Sequence, residues 1–426
     1  MEKLFEQGIK AFHSSYQFTE KEIDVLRRLA FQVTECASRP EMALKADLWQ
    51  RHNDLETDEP VVFIDPENGW DEIITDQDLI CVDPLARHWE RSLRKLIFWA
   101  NELKDDKVIE PYFDVPYCYW DTGWGLELSR IGGGNGHAYA IKAMLEDYEE
   151  DFLKIHHPQI IIDWEESDRL LSYAEDIFGD LLTVRRKQDW WWTLGLSADY
   201  INLRGLENFM CDFLLEPEWV DRTFDLLCKG KLEMLDFLEK NQLLGQNIEG
   251  SYVGSGGFGY TTQIQKKQAG ECITTKDMWG FCESQETVSI NPELYGEYIF
   301  PYHKKILERF AINCYGCCEP YEAKWKYIKQ LPNLRRVSVS PWADPTTVPE
   351  LLGKNYIASI KPSPTYLATS RLNEDVLRKE CRRLVESSKG GICEFIMKDN
   401  NTLGKNPYNA IRWVEIMREE IGRSYT

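Results

Sequence analysis

Three features of the chain predict an α/β protein, a (β/α)8 TIM barrel carrying a mainly helical N-terminal extension. From about residue 108 onward, short apolar runs alternate with amphipathic stretches, the pattern of βα units laid on a parallel sheet. Eight such runs occur, the number a closed barrel needs. A chain of 426 residues with 43% hydrophobic content and 15 tryptophans is long and apolar enough to bury a large core. The extension is assigned to residues 1–105 and the barrel to 106–426.

The extension opens with helix signals. Thr19 is placed to cap a helix in which Leu26, Leu29, Ala30 and Val33 recur at helical spacing. The stretch Asp58 to Pro66 reads as irregular. A long helix is expected from about Pro84 to Leu103, with Leu85, Trp89, Leu93, Ile97 and Trp99 on one apolar face. The eight candidate strands then begin at Val108, Leu181, Ser251, Met278, Phe310, Leu334, Tyr356 and Gly391. Asn291-Pro292-Glu293 starts a helix running toward Lys304, because an asparagine cap is followed by proline at the first helical position and an acid at the second. The last helix begins near Tyr408.

Composition excludes several classes of function. A net charge of −21 opposes nucleic-acid binding, which depends on neutralising phosphates. The start lacks a basic and apolar leader, and no apolar run approaches a membrane span, so no membrane partner is expected. Twelve cysteines scattered through a long chain point to reduced thiols and a cytoplasmic location. Gly254-Ser255-Gly256-Gly257-Phe258-Gly259 spells a dinucleotide fingerprint, but the polar stretch after it has no apolar stripe to make the required helix. The other glycine run, Gly132 to Gly134 with Gly136, lacks the lysine and serine of a phosphate loop and reads as a mobile loop over the barrel mouth.

Chemistry in a barrel sits where strands end. The run Phe310 to Ile312 empties into Asn313-Cys314-Tyr315-Gly316-Cys317-Cys318-Glu319-Pro320. Cys314, Cys317 and Cys318 are either thiolate ligands and reactive groups or three small side chains that pack. Glu283 ends the Met278 run and stands where a ligand or general acid belongs, and Asp114 takes the same place after Phe113. Arg186 precedes Trp190, Trp191 and Trp192, a block of indoles that cannot all enter one core and that forms either a packing clamp or an aromatic substrate wall. Tyr260 and Trp342 complete the candidate substrate-binding set. None of the seven histidines lies beyond His303, so any metal near the cysteines needs thiolates, carboxylates or an earlier histidine.

Asn313 to Pro320, Leu334 to Asp344, Ile360-Lys361-Pro362-Ser363-Pro364 and Met397-Lys398-Asp399, with Leu48 to Leu55 near the start, resemble the uroporphyrinogen decarboxylase-like superfamily. Within it, the likeness is to corrinoid-protein-dependent methyltransferases and O-demethylases. The resemblance implies a (β/α)8 barrel with its site at the C-terminal mouth. It also implies transfer of a methyl group from a methoxylated small molecule, aromatic given the aromatic first strand region, to cobalt on a separate corrinoid protein. A Lewis-acidic zinc held by Cys314, Cys317, Cys318 and Glu283 would stabilise the departing oxygen, with Glu283 or Asp114 as general acid in a metal-free variant. Asn313 stands where zinc-dependent relatives carry histidine. That departure motivates the alternative of a non-catalytic barrel that binds a tetrapyrrole or corrinoid protein; a decarboxylase is the remaining alternative.

Overall fold

The computed structural model describes residues 16–126, 129–132, 139–268 and 270–425. Its strands, in chain order, are β1 (Val61–Ile64), β2 (Tyr112–Val115), β3 (Tyr119–Asp121), β4 (Ser129–Gly132), β5 (Tyr139–Lys142), β6 (Ile160–Ile162), β7 (Thr183–Arg186), β8 (Tyr252–Val253) and β9 (Gly257–Phe258). They continue with β10 (Trp279–Cys282), β11 (Ile312–Tyr315), β12 (Leu334–Val339), β13 (Ile357–Ile360) and β14 (Ile392–Met397). A six-stranded parallel sheet runs in the order β1-β14-β13-β12-β11-β10, and a separate parallel pair joins β2 to β7. Helices separate the sheet strands in sequence, so the α/β class holds.

Among the described residues the hydrogen bonds form a six-stranded ladder and separate pairs, and no closed eight-stranded ladder. At one edge, the amides of Val62 and Ile64 donate to the carboxylates of Asp106 (2.8 Å) and Asp105 (3.0 Å), and Asp106 N–H donates back to the Val62 carbonyl. At the other edge, Asn247 exchanges hydrogen bonds with both backbone groups of Trp279, and Leu194 N–H donates to the Phe281 carbonyl. Short side chains thus satisfy edge groups that a neighbouring strand would otherwise pair.

Several sequence expectations need correction. The stretch 58–66 is not irregular: Val61–Ile64 is a fully buried strand that pairs in register with β14, so the main sheet draws on both sides of residue 105. The run at Ser251 does not join the main sheet; it forms one arm of an antiparallel hairpin, β8–β9. The helix after Asn291 is two helices, Pro292–Tyr298 and Phe300–Leu307, because Pro301 has no N–H to continue the first. The helix from Pro84 gives way to a π-turn at Trp99–Leu103 and stops at Lys104, which adopts a positive φ. Thr19 does form a reciprocal capping box with Glu22. Gly133, Gly134 and Gly136 lie outside the described residues.

The two faces of the six-stranded sheet differ. Tyr315 and Asn313 point to the helices, where Tyr315 meets the Tyr295 hydroxyl at 2.7 Å and Asn313 donates to the Leu307 carbonyl. The opposite face is covered by the β8–β9 hairpin, whose glycines allow backbone to lie directly on side chains. A Cβ on Gly254 would stand 2.9 Å from that of Cys314, and one on Gly257 would stand 2.5 Å from the Arg336 guanidinium carbon. The fingerprint glycines therefore serve close packing against the sheet.

Candidate active site

Polar residues recur at every second position on the hairpin-facing side of the strands: Arg336 and Ser338 on β12, Ser359 on β13 with Lys361 just after it, and Glu394 on β14. Arg336 binds Glu394 through Nε (3.0 Å) and Nη2 (3.1 Å) and donates to the Asn53 carboxamide oxygen at 2.6 Å. Glu394 also accepts from Ser359 and lies 3.3 Å from His52 Nε2. Although burial alone would raise its pKa, the guanidinium and imidazole hold this carboxyl below the ordinary range. Cys314 belongs to this layer. Its sulfur accepts from Arg336 Nη1 at 3.7 Å among Trp279, Phe281 and Ile312, and burial pushes its thiol up to about 11.

Beyond the strand ends lies a second layer of different character. Gly316, at φ +90°, turns the chain after β11 and delivers Cys317, Cys318 and Glu319. Glu319 is buried and fixes the turn: one oxygen accepts from Cys317 N–H (2.9 Å) and the other from Ser284 N–H (2.8 Å). Cys317 and Cys318 have their sulfurs 3.6 Å apart. Lys398, after β14, stands 3.9 Å from Glu67 and 3.8 Å from Asp399; burial would lower its pKa, but Cys317, Asp399 and Glu67 raise it. Lys361 is 3% exposed, hydrogen-bonded to Ser359, and pushed down to about 8 by burial.

Glu283 follows β10 and is 0% exposed. One carboxyl oxygen accepts from Gln285 N–H at 2.9 Å, and the other has no partner among the described residues. Burial first, then the carboxylates of Glu286 and Glu319, drive its pKa well above the ordinary range. Gly195 lies against it, since a Cβ there would meet the Glu283 carbonyl at 2.3 Å. The same segment carries Trp192, 52% exposed, with its ring edge-on to Phe281.

The structure brings Glu283, Cys317, Cys318 and Trp192 toward one end of β10 and β11 and leaves the other candidates elsewhere. Asp114 is paired to Arg185 at 2.5 Å and lies 3.7 Å from Lys187. Arg186 binds Asp168 and the Ser167 carbonyl and covers one ring, Tyr117, that Trp190 also stacks on. Trp190 further donates to the Leu243 carbonyl, and Trp191 packs on Phe310. The Tyr260 hydroxyl donates to Glu110 at 3.0 Å, and Trp342 is 79% exposed. The four side chains expected to hold zinc do not come together. Cys314 faces a guanidinium in the lower layer, and among the described residues no three His, Cys, Asp or Glu side chains are grouped to hold a metal ion.

The sequence expectations did not name Glu319 or Lys361 as site residues, although each follows a strand they had located. Period-two polarity within buried strands was the signal that marks the Arg336–Glu394 layer.

No protein-family model matches the chain, and no curated protein matches it. Among solved structures it is similar to a methyltransferase from Methanosarcina mazei, at 10% identity and a TM-score of 0.42, over 74% of this chain and 81% of that one. A likeness at that level decides neither fold nor activity. Among the described residues no helix is long and apolar enough to cross a membrane.

Proposed function

We propose that the protein is a methyltransferase that takes a methyl group from a methoxylated small molecule, of aromatic type, and passes it to reduced cobalt on a separate corrinoid protein. The observation that carries this reading is Glu283, a wholly buried carboxyl at a strand end with one oxygen unpartnered among the described residues. Motif likeness at Asn313–Pro320 and Leu334–Asp344 supports the class of reaction.

The difficulty of such a reaction is the leaving group. As the nucleophilic cobalt takes the methyl, the carbon–oxygen bond breaks and its electron pair stays on oxygen, giving an alkoxide or phenolate. A neutral carboxylic acid beside that oxygen donates its proton and is left as carboxylate. Glu283 is suited to this role because burial and two neighbouring carboxylates raise its pKa and so favour the protonated form. Glu319, held by two backbone amides, supplies one of those charges and fixes the loop. Trp192 offers an exposed aromatic surface on the segment that packs against Glu283. Of the four expected zinc ligands, Cys314 stands apart in the layer of Arg336, and the leaving-group proton is assigned to Glu283.

Methoxylated aromatic donors, incubated with the protein and reduced corrinoid proteins, should yield methyl-cobalt absorption together with the free phenol. If every donor in a broad panel of methyl ethers and methylamines stays inert, the reading fails. Tight binding of a corrinoid protein without turnover would instead favour a non-catalytic binding role.

A further inference from the structure

Adjacent cysteines on an extended chain point to opposite sides. Here they do not. Gly316 turns the chain at positive φ, Cys317 N–H is held by Glu319, and the Cys317 carbonyl accepts from Ser338 Oγ at 2.9 Å. With residue 317 tied at both ends, the two sulfurs face one another at 3.6 Å. Cys317 is 5% exposed, whereas Cys318 is half-buried and meets solvent. The Lys398 ammonium adds positive charge beside both. Three independent fixings of one turn are more than packing two small side chains requires.

We infer that Cys317 and Cys318 form a redox-active dithiol that exchanges with low-molecular-weight disulfides and closes to a vicinal disulfide. This inference does not depend on the methyl-transfer reading. In the first step the Cys318 thiolate attacks one sulfur of an external disulfide RSSR; the S–S bond breaks, and a mixed disulfide and RS⁻ result. RS⁻ takes the proton of the Cys317 thiol. The Cys317 thiolate then attacks the Cys318 sulfur and expels a second RS⁻. In sum, RSSR is reduced to RSH and RS⁻ while the cysteine pair loses two electrons and one proton.

The order of attack follows from access, since an incoming disulfide reaches Cys318 and not Cys317. Closure needs the sulfurs to approach from 3.6 Å to about 2.05 Å, a small movement for side chains already facing. Neighbouring residues keep their Cα atoms about 3.8 Å apart, shorter than the roughly 4.4–6.8 Å usual for a disulfide. A bridge here is therefore one that thiols reopen readily, a switchable rather than a structural bond.

The test uses the full chain carrying Cys211→Ser and Cys272→Ser, which removes the two exposed thiols that would react independently. After incubation with oxidised glutathione, acid quench and alkylation, residues 310–324 are mapped by tandem mass spectrometry. The expected result is loss of two hydrogens from that peptide and loss of alkylation at both Cys317 and Cys318, reversed by dithiothreitol. In the same background Cys317→Ser should trap glutathione on Cys318, whereas Cys318→Ser should leave Cys317 a free thiol. Thermal melts and circular dichroism establish that each variant is folded. The inference is overturned if Cys318 keeps glutathione while Cys317 remains alkylatable in the parent, or if neither cysteine reacts.

Discussion

Asp114 and Glu283 are both carboxylates near the ends of parallel strands, yet their surroundings are opposite. Asp114, on β2, meets Arg185 and Lys187, which also share Glu249, and its side chain is 41% exposed. Glu283 follows β10 with no solvent contact, no cation in ion-pair contact among the described residues, and two more carboxylates as electrostatic neighbours. Paired charges near the surface are stable and inert. A buried carboxyl among its own kind is costly to ionise, and the outcome is a proton kept where water does not reach. Position at a strand end did not separate the two residues; their neighbours did.

The largest expected effect tests the Glu283 side of this contrast. Glu283→Gln keeps the shape of the side chain but has no proton to give, and methyl transfer should fall by about 10²- to 10⁴-fold. Stability should move the other way. Above the ordinary glutamate pKa of about 4.3, the unfolded chain releases this proton while the folded chain retains it, so wild-type stability declines as pH rises toward the folded pKa. The melting temperature of the glutamine variant should therefore exceed that of wild type at neutral pH, with the gap closing near pH 4. A variant less stable than wild type at pH 7 would mean that the carboxyl is ionised and paired.

A buried acid that does have its cation provides the second measurement. Arg336→Met leaves Glu394 in the core without its guanidinium, at a cost of about 3–5 kcal/mol in denaturant unfolding. Glu394 has a depressed pKa, so its contribution is complete above the unfolded value and is lost as pH falls through the acid range toward the folded one. Acid titration of wild-type stability should show this loss, and the Arg336 variant should show it blunted.

Gly257→Ala examines the hairpin that covers this layer. Its Cβ would meet the Arg336 guanidinium, and displacing that group should cost about 1–3 kcal/mol. If the glycines instead served a bound nucleotide, stability would hold and nucleotide affinity would change.

The smallest effect belongs to Asp114→Asn. Exposed ion pairs contribute about 0–1 kcal/mol, so the melting temperature should barely shift and methyl transfer should be unchanged. A large loss of activity would return Asp114 to the site and undo the contrast.

The strands at Leu334, Tyr356 and Gly391 and the cap at Thr19 were legible in the sequence because local signals decide them: apolar runs with turn residues at their ends, and a threonine followed three residues later by glutamate. The end of β11 was not: the apolar run stops at Ile312, whereas the strand runs Ile312–Tyr315 and the chain turns only at Gly316. Strand β1 was missed because four apolar residues between acids and prolines carry no period of their own, and only pairing with β14 makes them a strand. The failure of the ladder to continue past β1 and β10 was likewise invisible, since Asp105, Asp106 and Asn247 act through hydrogen bonds that composition does not reveal.

At the site, the sequence by itself marked Glu283, Asp114, Cys314, Cys317 and Cys318 as one set of strand-end candidates, and it did not separate Cys314, which lies within β11. It did not determine which of the candidates are satisfied. Asp114 and Arg186 find opposite charges, Tyr260 and Trp190 find acceptors, and Cys314 finds Arg336. Glu283 finds other carboxylates. Only the tertiary structure decides this, because the free energy of a charge or thiol depends on groups brought beside it from distant parts of the chain, and on how much water is left between them.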